Sequence, residues 1–310
     1  MILLVGTGYM AKEYAKVLKA MKLPFIAVGR SQNSSNTFTA EVGVKAESGG
    51  LSNWLKKNKV PSKAIVAVTE DQLGIVTIGL LNSGCKNILV EKPGGLNMGE
   101  IKKVARLAKN KRARVFVGYN RRFYASTLAA LDLIKKDGGV TSFNFDFTER
   151  SYAVEKLSQS DKIKREWFIQ NSSHVIDMAF YMGGWPKKIS AYKKGRLSWH
   201  PSGSVYSGAG ISETGALFSY QANWNSAGRW SIEIMTPKTK LIFRPLEKLQ
   251  IQKYGSMTIE DYPLKDTLDI NFKPGLFKQV ESFLNNHKEL LTTQEQIKHL
   301  ETYSKIKIQK

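Results

Sequence analysis

Residues 2–11, ILLVGTGYMA, are the stretch from which the fold of this chain is predicted. Four apolar residues suited to a buried strand run directly into residues 6–11, which have the spacing G-x-G-x-x-A. In dinucleotide-binding proteins the first glycine permits a tight turn, the second lets the backbone approach a pyrophosphate, and the last small residue keeps the next helix close to the sheet. That helix also offers free N–H groups to the phosphates. The cofactor contacts predicted from this motif are Gly6, Thr7, Gly8, Tyr9 and Met10.

Short apolar runs alternate with helical patterns through the first 119 residues, which is the rhythm of parallel βαβ units. The predicted strands are Ile2 to Val5, Phe25 to Val28, Ala64 to Val68, Ile88 to Val90 and Val115 to Val117, with a weaker one near Val42 to Ala46. Amphipathic helices are predicted after the first strand and over Leu51 to Lys59, Gln72 to Ser83 and Met98 to Lys109. Residues 1–119 are therefore expected to form a Rossmann NAD(P)-binding domain.

The pattern changes after Asn120. Two helices, Tyr124 to Lys136 and Ser172 to Met182, are accompanied by alternating runs such as Gly215 to Trp224 and Trp230 to Met235, which indicate an antiparallel sheet. Two further helical patterns, beginning near Leu276 and at Gln294, close the chain. We therefore expect an α/β protein whose second domain, residues 120–310, binds substrate and forms oligomers.

Composition excludes several classes of protein. The chain of 310 residues is 42% hydrophobic, and no run approaches the roughly 18 apolar residues that span a membrane. With no signal-peptide pattern, a cytoplasmic location without membrane contact is expected. Cys85 is the single cysteine, so neither an internal disulfide nor a cysteine-based metal site is predicted, and no metal is expected.

The net charge of +21 favours anionic ligands. Lysines are spread along most polar faces, however, and the sequence has no long basic arm, zinc-finger spacing or recognisable helix-turn-helix. Nucleic acid is therefore not the expected partner.

The end of the second strand bears on the choice of cofactor. NAD-binding proteins usually place an acidic residue here against the ribose 2′-hydroxyl, but this chain reads Val28-Gly29-Arg30-Ser31. Arg30 can form a charge-assisted hydrogen bond with a 2′-phosphate, and Ser31 can donate its hydroxyl. NADP is therefore favoured over NAD, although an exposed arginine is unremarkable in so basic a chain.

Glu91-Lys92-Pro93 follows the strand that ends at Val90 and, taken alone, is typical of a turn. Together with the fingerprint at residues 6–11, the junction at residues 117–123 (VGYNRRF) and the helix starting at His174, it makes the chain resemble the Gfo/Idh/MocA family of oxidoreductases. That resemblance implies a Rossmann domain followed by an α/β domain with a large, mostly antiparallel sheet. The open face of this sheet often forms an oligomer interface in the family, so a homodimer or homotetramer is expected.

The resemblance also implies roles for single residues. Lys92 would sit beside the nicotinamide, Glu91 would contact the cofactor ribose, and the Lys92–Pro93 bond would be cis. Asn120 matches a position near the nicotinamide end, and Thr69 one that lines the cofactor. Arg122 is expected to form a structural ion pair.

Oxidation of an alcohol needs a hydride acceptor and a base for the hydroxyl proton. Lys92 would stabilise alkoxide character and His174 would take the proton, because an imidazole ordinarily titrates near neutrality. A lone histidine near a helix start is otherwise more often structural. Many family members also carry an aspartate one turn before the histidine, but this chain has Gln170, which cannot hold a negative charge.

Substrate contacts are predicted in the segment leading into the His174 helix, where family members gather substrate groups. Ordinary loop packing explains these residues equally well. An aromatic residue beside cations suits a sugar, and the positive potential suits an anionic one such as a nucleotide-sugar. The Ser172-Ser173-His174 variant resembles members associated with bacterial surface-polysaccharide synthesis. The predicted contacts are Gln170, Arg165, Trp167 and Tyr152.

Two functions remain open on the sequence. The first is an NAD(P)-dependent dehydrogenase or reductase acting on CH–OH groups of a sugar or nucleotide-sugar, which the presence of both Lys92 and His174 favours. The second is a non-catalytic NAD(P)-binding regulator on the same fold, which the glutamine at position 170 favours.

Overall fold

A computed structural model describes residues 1–285 and 287–307, which form two compact units. The first unit comprises Met1–Asn120 and Asn271–Lys298, and the second comprises Arg121–Ile270 and the chain from His299 onward. Residues 271–298, assigned to the second domain on the sequence, thus belong to the first unit. No helix in the described part of the chain is long and apolar enough to cross a bilayer.

The strands are β1 (Ile2–Val5), β2 (Phe25–Val28), β3 (Ala46–Glu47), β4 (Lys63–Val66), β5 (Asn87–Glu91), β6 (Arg114–Gly118), β7 (Ser142–Asp146), β8 (Pro186–Lys194), β9 (Val205–Ser212), β10 (Leu217–Asn223), β11 (Ser231–Met235), β12 (Thr239–Phe243), β13 (Gln250–Lys253), β14 (Ile259–Asp261) and β15 (Leu291–Thr292). The α-helices are α1 (Tyr9–Ala20), α2 (Gln32–Val42), α3 (Gly50–Leu55), α4 (Leu73–Asn82), α5 (Met98–Asn110), α6 (Ala125–Asp137), α7 (Ser151–Glu155), α8 (Asp161–Arg165), α9 (Ser173–Gly183), α10 (Thr267–Asn271), α11 (Leu276–Leu284) and α12 (Thr293–Lys307).

The first unit is built on a seven-stranded sheet in the order β15-β6-β5-β4-β1-β2-β3. Strands β1 to β6 pair in parallel, and β15 adds to β6 in the antiparallel direction. The strand order reverses direction beside β1, which is where doubly wound sheets bind nucleotides. This architecture confirms the Rossmann-like fold predicted from residues 1–119.

Helix α2 is one of the elements that the sequence pattern did not predict. Its residues, QNSSNTFTAEV, are mostly polar and include few strong helix formers, so no apolar stripe marks it. The hydroxyl of Ser31 caps its start by accepting from the Ser34 N–H, and Gly43 ends it with φ 73°. The weak strand expected near Val42 to Ala46 is reduced to β3.

The second unit contains an eight-stranded sheet in the order β14-β13-β12-β11-β7-β10-β9-β8. All neighbours pair antiparallel except β7 and β10, so the predicted large, mostly antiparallel sheet is confirmed. Inward-facing aromatic residues of β7 and β10 pack against Phe180 of α9; for example, the Phe145 and Phe180 rings lie 5.3 Å apart. Alternation along β7 thus gives the sheet one buried and one open face.

The ion pair predicted for Arg122 is present inside the second unit. Its guanidinium makes two hydrogen bonds to the Asp177 carboxylate, at 2.8 Å from Nε and 2.7 Å from Nη2, and both side chains are almost fully buried. Burial alone would lower the pKa of Arg122, but Asp177 outweighs it and raises the pKa. The pair therefore attaches residue 122, which follows the main segment of the first unit, to helix α9.

Candidate functional site

A cleft of about 1010 Å³ lies in the first unit at the carboxyl ends of β1, β2 and β4. Loops that follow these strands supply its walls, as expected for a parallel sheet. The predicted cofactor contacts that line it are Gly6, Thr7, Gly8, Tyr9, Met10, Arg30, Ser31 and Thr69. Glu91, Lys92 and Asn120 lie elsewhere in this unit.

The two glycines of the turn serve different purposes. Gly6 has φ +123°, and a Cβ placed there would lie within van der Waals overlap of the Ala67 carbonyl, so this glycine is required by the fold. Gly8 has φ −79° and ψ −171°, which any residue can adopt, and a Cβ there would meet no protein atom within 4 Å. The space beside Gly8 at the start of α1 therefore fits a cofactor pyrophosphate held by helix N–H groups.

Hydroxyl groups and cations gather where β2 ends. The Thr7 hydroxyl donates to Ser34 Oγ at 3.0 Å, and Ser34 Oγ lies 2.9 Å from Ser31 Oγ. Arg30 is exposed on the same wall, and Lys56, which follows α3, adds a second cation that the sequence gave no reason to select. This end of the cleft is suited to an anion.

Glu91 lies at the end of β5 in a hydrogen-bond network that the sequence did not reveal. The buried Tyr14 hydroxyl donates to Glu91 Oε1 at 2.6 Å. Burial raises the pKa of Glu91, although the bond from Tyr14 and the charges of Lys92 and Lys273 oppose the rise. With its amide nitrogen donating to Tyr14 Oη, Gln279 accepts through its oxygen from the backbone N–H groups of residues 119 and 120. Helix α11 thereby anchors the ends of β5 and β6.

The Lys92–Pro93 peptide bond is cis, as the resemblance implies. Gln296 Nε2 donates to the Pro93 carbonyl at 3.1 Å and to the Tyr119 hydroxyl at 3.0 Å. The Asn120 side-chain amide is buried and donates to the Pro274 carbonyl at 2.9 Å. This hydrogen bond attaches residue 120 to the loop before α11. The roles of Lys92, Glu91 and Asn120 towards the cofactor stay predictions.

In the second unit, a π-helical turn at Phe168–Ser172 leads into α9. Such turns occur frequently at functional sites because they reorient side chains within a helix. Gln170 lies in this turn and is buried, and His174 occupies the first turn of α9. The imidazole centroid of His174 is 6.2 Å from a ring centroid of Trp230.

A pocket of about 400 Å³ in the second unit is lined by Trp230 and by Asn171 of the π-helical turn. Glu149, which also lines it, is buried and accepts from Asn171 Nδ2 at 3.0 and 3.1 Å and from Ser172 Oγ at 2.7 Å. A carboxylate thus supports the segment in which family members often carry an aspartate, but it comes from the loop after β7. The other lining residues are Arg121, Thr148, Arg150, Gly228, Arg229, Pro245, Leu246 and Glu247.

None of the four predicted substrate contacts, which include the buried Gln170 of the π-helical turn, lines this pocket. Trp167 is buried with its ring edge-on to Trp199 at 6.3 Å. Arg165 ends helix α8 and is exposed, and Tyr152 is 67% exposed on α7. Their contact with a substrate stays a prediction.

Comparisons with known proteins agree with this architecture. Residues 1–119 match the model of the Gfo/Idh/MocA family, described as an oxidoreductase family with an NAD-binding Rossmann fold. None of the curated proteins compared matches the sequence significantly.

Three solved structures illustrate the shared fold. They are a levoglucosan dehydrogenase in complex with NADH and levoglucosan (17% identity, 98% of this chain and 95% of that chain, TM-score 0.79), an oxidoreductase from Agrobacterium radiobacter in complex with NAD+, L-tartaric acid and magnesium (14%, 99% and 94%, 0.78), and the WlbA dehydrogenase from Chromobacterium violaceum in complex with NADH and UDP-GlcNAcA (15%, 98% and 92%, 0.72). At these identities the likeness shows the fold of the whole chain. The family match covers the NAD-binding Rossmann domain, residues 1–119, which is similar to that of the Gfo/Idh/MocA oxidoreductases.

Proposed function

We propose that this protein is an NAD(P)-dependent dehydrogenase or reductase that transfers a hydride between the nicotinamide and a hydroxyl or ketone carbon of a sugar or nucleotide-sugar. The observation that carries the proposal is the first unit's cleft, where open space beside Gly8 meets the start of α1. Ligands of the similar structures, levoglucosan and UDP-GlcNAcA, support the substrate class.

Bound nicotinamide supplies the hydride chemistry. Lys92 offers a positive charge that stabilises alkoxide character on the substrate oxygen, and His174 accepts the hydroxyl proton during oxidation or returns it during reduction. Gln170 can hydrogen-bond a substrate hydroxyl but carries no charge. Glu149 positions Asn171 and Ser172, which precede His174 on the chain.

Nicotinamide absorbance tests the activity. Across a panel of sugars and nucleotide-sugars, at least one should change the absorbance of the purified protein with cofactor. His174→Asn should lower kcat by roughly 10²–10⁴-fold, and Lys92→Met should lower it as well, whereas Lys102→Met, at an exposed position of α5, should not. Tight cofactor binding with no absorbance change for the whole panel would instead indicate a non-catalytic regulator.

We also propose that NADP is preferred over NAD. Arg30 and Lys56 on the wall after β2 support this preference, since their charges complement a 2′-phosphate. Arg30→Ala should weaken NADP binding by about tenfold, the loss of one charge-assisted hydrogen bond, and leave NAD binding within about twofold. Arg106→Ala, which removes an exposed arginine of α5, is the matched control. A stronger affinity of the unmodified protein for NAD would refute the preference.

A homo-oligomer is the third part of the proposal. The open face of the second unit's sheet exposes Tyr192, Ile211 and Leu217, by 65%, 38% and 59% respectively. A second copy of the chain would cover these side chains. Light scattering should give a dimer or tetramer, and Leu217→Lys should dissociate it; a monomeric protein would contradict the proposal.

A further inference from the structure

The pocket beside Trp230 carries three arginines, and none of them has a carboxylate partner among the residues described. Arg121 lies in the short 3-10 helix after β6, Arg150 begins α7, and Arg229 precedes β11. No ion pair in the described chain involves any of the three guanidinium groups. The pocket therefore combines three cationic groups for which the described chain shows no ion pair.

The same pocket also contains two carboxylates, Glu149 and Glu247. Glu149 accepts from Asn171 and Ser172, as described above. The charge of Glu247 contributes, after burial, to raising the pKa of the Tyr124 hydroxyl to about 12. Among the described residues, Glu247 forms no ion pair with an arginine.

Arg121 is the most constrained of the three. Its guanidinium carbon lies 5.1 Å from the Trp230 ring centroid and 5.8 Å from that of Tyr124, within cation–π range. Its Nε is buried without a hydrogen-bond partner in the described chain. A buried donor on a charged group is costly when unsatisfied, so a ligand that accepts from it would recover that cost.

We propose that this pocket is an anion subsite that binds the carboxylate or phosphate of an acidic monosaccharide, with Arg121, Arg150 and Arg229 as donors and the Trp230 ring as an apolar platform for the sugar. Guanidinium groups match the two oxygens of a carboxylate or phosphate with paired N–H donors. The volume of about 400 Å³ falls near the lower end of the range of small-molecule pockets, about 300–1,000 Å³. That this ligand is the substrate rests on the proposed function. Its binding to the pocket does not depend on that function.

Isothermal titration with three probes, glucuronate, glucose 6-phosphate and glucose, tests the subsite on the full chain with cofactor present at physiological salt. At least one anionic probe should bind about tenfold more tightly than glucose, as expected for a charge-assisted hydrogen bond. The preferred anion distinguishes carboxylate from phosphate.

Arginine variants then locate the site. Arg229→Gln and Arg150→Gln should each weaken the preferred anion by about tenfold and leave glucose binding unchanged. Arg121→Gln should do the same, with thermal melting as a check because its guanidinium packs on two rings. Arg196→Gln removes an exposed arginine of the same unit outside the pocket, so it reports nonspecific attraction to the basic surface.

Two results would overturn the inference: neither anion binds more tightly than glucose, or the three pocket variants weaken anion binding no more than Arg196→Gln does. A failure of the proposed function looks different. Arginine-dependent anion binding without any change in nicotinamide absorbance would refute the redox proposal and leave the subsite intact.

Discussion

Replacing each glycine of the nucleotide turn by alanine separates cofactor binding from folding. At Gly6 the new methyl group would overlap the Ala67 carbonyl, and φ +123° is strained for any L side chain. At Gly8 the backbone angles suit alanine and no protein atom lies within 4 Å of the new methyl group. The two substitutions are chemically identical, so they serve as controls for each other.

Gly6→Ala should mainly lower stability, whereas Gly8→Ala should mainly weaken cofactor binding. Gly6→Ala should lower the free energy of unfolding by about 3 kcal/mol or more, from backbone strain together with the forced shift of Ala67. Gly8→Ala should cost only about 0.5–1 kcal/mol, since alanine is a poorer N-cap than glycine. It should nevertheless weaken cofactor binding by roughly 10- to 150-fold, because the methyl group displaces a phosphate and breaks at least one charge-assisted hydrogen bond worth about 1.5–3 kcal/mol.

Urea unfolding of the cofactor-free protein and titration with NADPH and NADH measure the two quantities independently. A Gly8→Ala protein of near-normal stability that binds both cofactors within about twofold of the unmodified chain would refute the placement of the pyrophosphate beside Gly8. Equal loss of stability for the two variants would contradict the steric argument.

Three further outcomes follow from the hydrogen bonds and ion pairs. Arg122→Met should lower the free energy of unfolding by about 3–5 kcal/mol, because it removes the guanidinium from the buried Asp177 carboxylate and leaves it only His299, 3.8 Å away; a loss below about 1 kcal/mol in urea unfolding would contradict this. Tyr14→Phe should raise the pKa of Glu91 further, since the lost bond stabilises its charged form. Cofactor affinity should then begin to fall at a higher pH during acidification, and an unchanged pH profile would argue against a cofactor role for Glu91. Burial lowers the pKa of His200 to about 4, so the folded state favours its neutral form. Stability should be complete above pH 6.5 and fall by up to about 3 kcal/mol as the pH drops towards 4, a loss that His200→Phe should remove from the pH dependence of melting.

The first unit could be predicted from the sequence because its strands are apolar on both faces. Strands β1 and β2 have the predicted bounds, and β5 and β6 extend them by one or two residues. Helix α2 was not predicted, because its polar residues give no periodic signal and its ends depend on the Ser31 cap and on Gly43. Local caps can define a helix that hydrophobic patterning does not mark.

The candidate site was only partly predictable. Contiguous motifs such as residues 6–11 carry their geometry within a few residues, and residues 6–10 line the cleft. Glu149 and Trp230 are distant from His174 in sequence, and only the pairing of β7 with β11 brings their loops to one pocket. No short pattern encodes such a long-range arrangement, and Trp167, which is nearer to the histidine in sequence, packs on Trp199 instead.

Because residues 271–298 belong to the first unit, they determine where the chain can be divided into expression fragments. An expression fragment cut after residue 119 would have an unpaired β6 edge, and it would lose Gln279 and Gln296, which hold the ends of β5 and β6. Exposed strand edges promote aggregation. A Rossmann fragment intended for cofactor studies should therefore carry residues 271–298, joined by a linker or co-expressed, and domain exchange with a relative would need junctions near residues 120, 270 and 298.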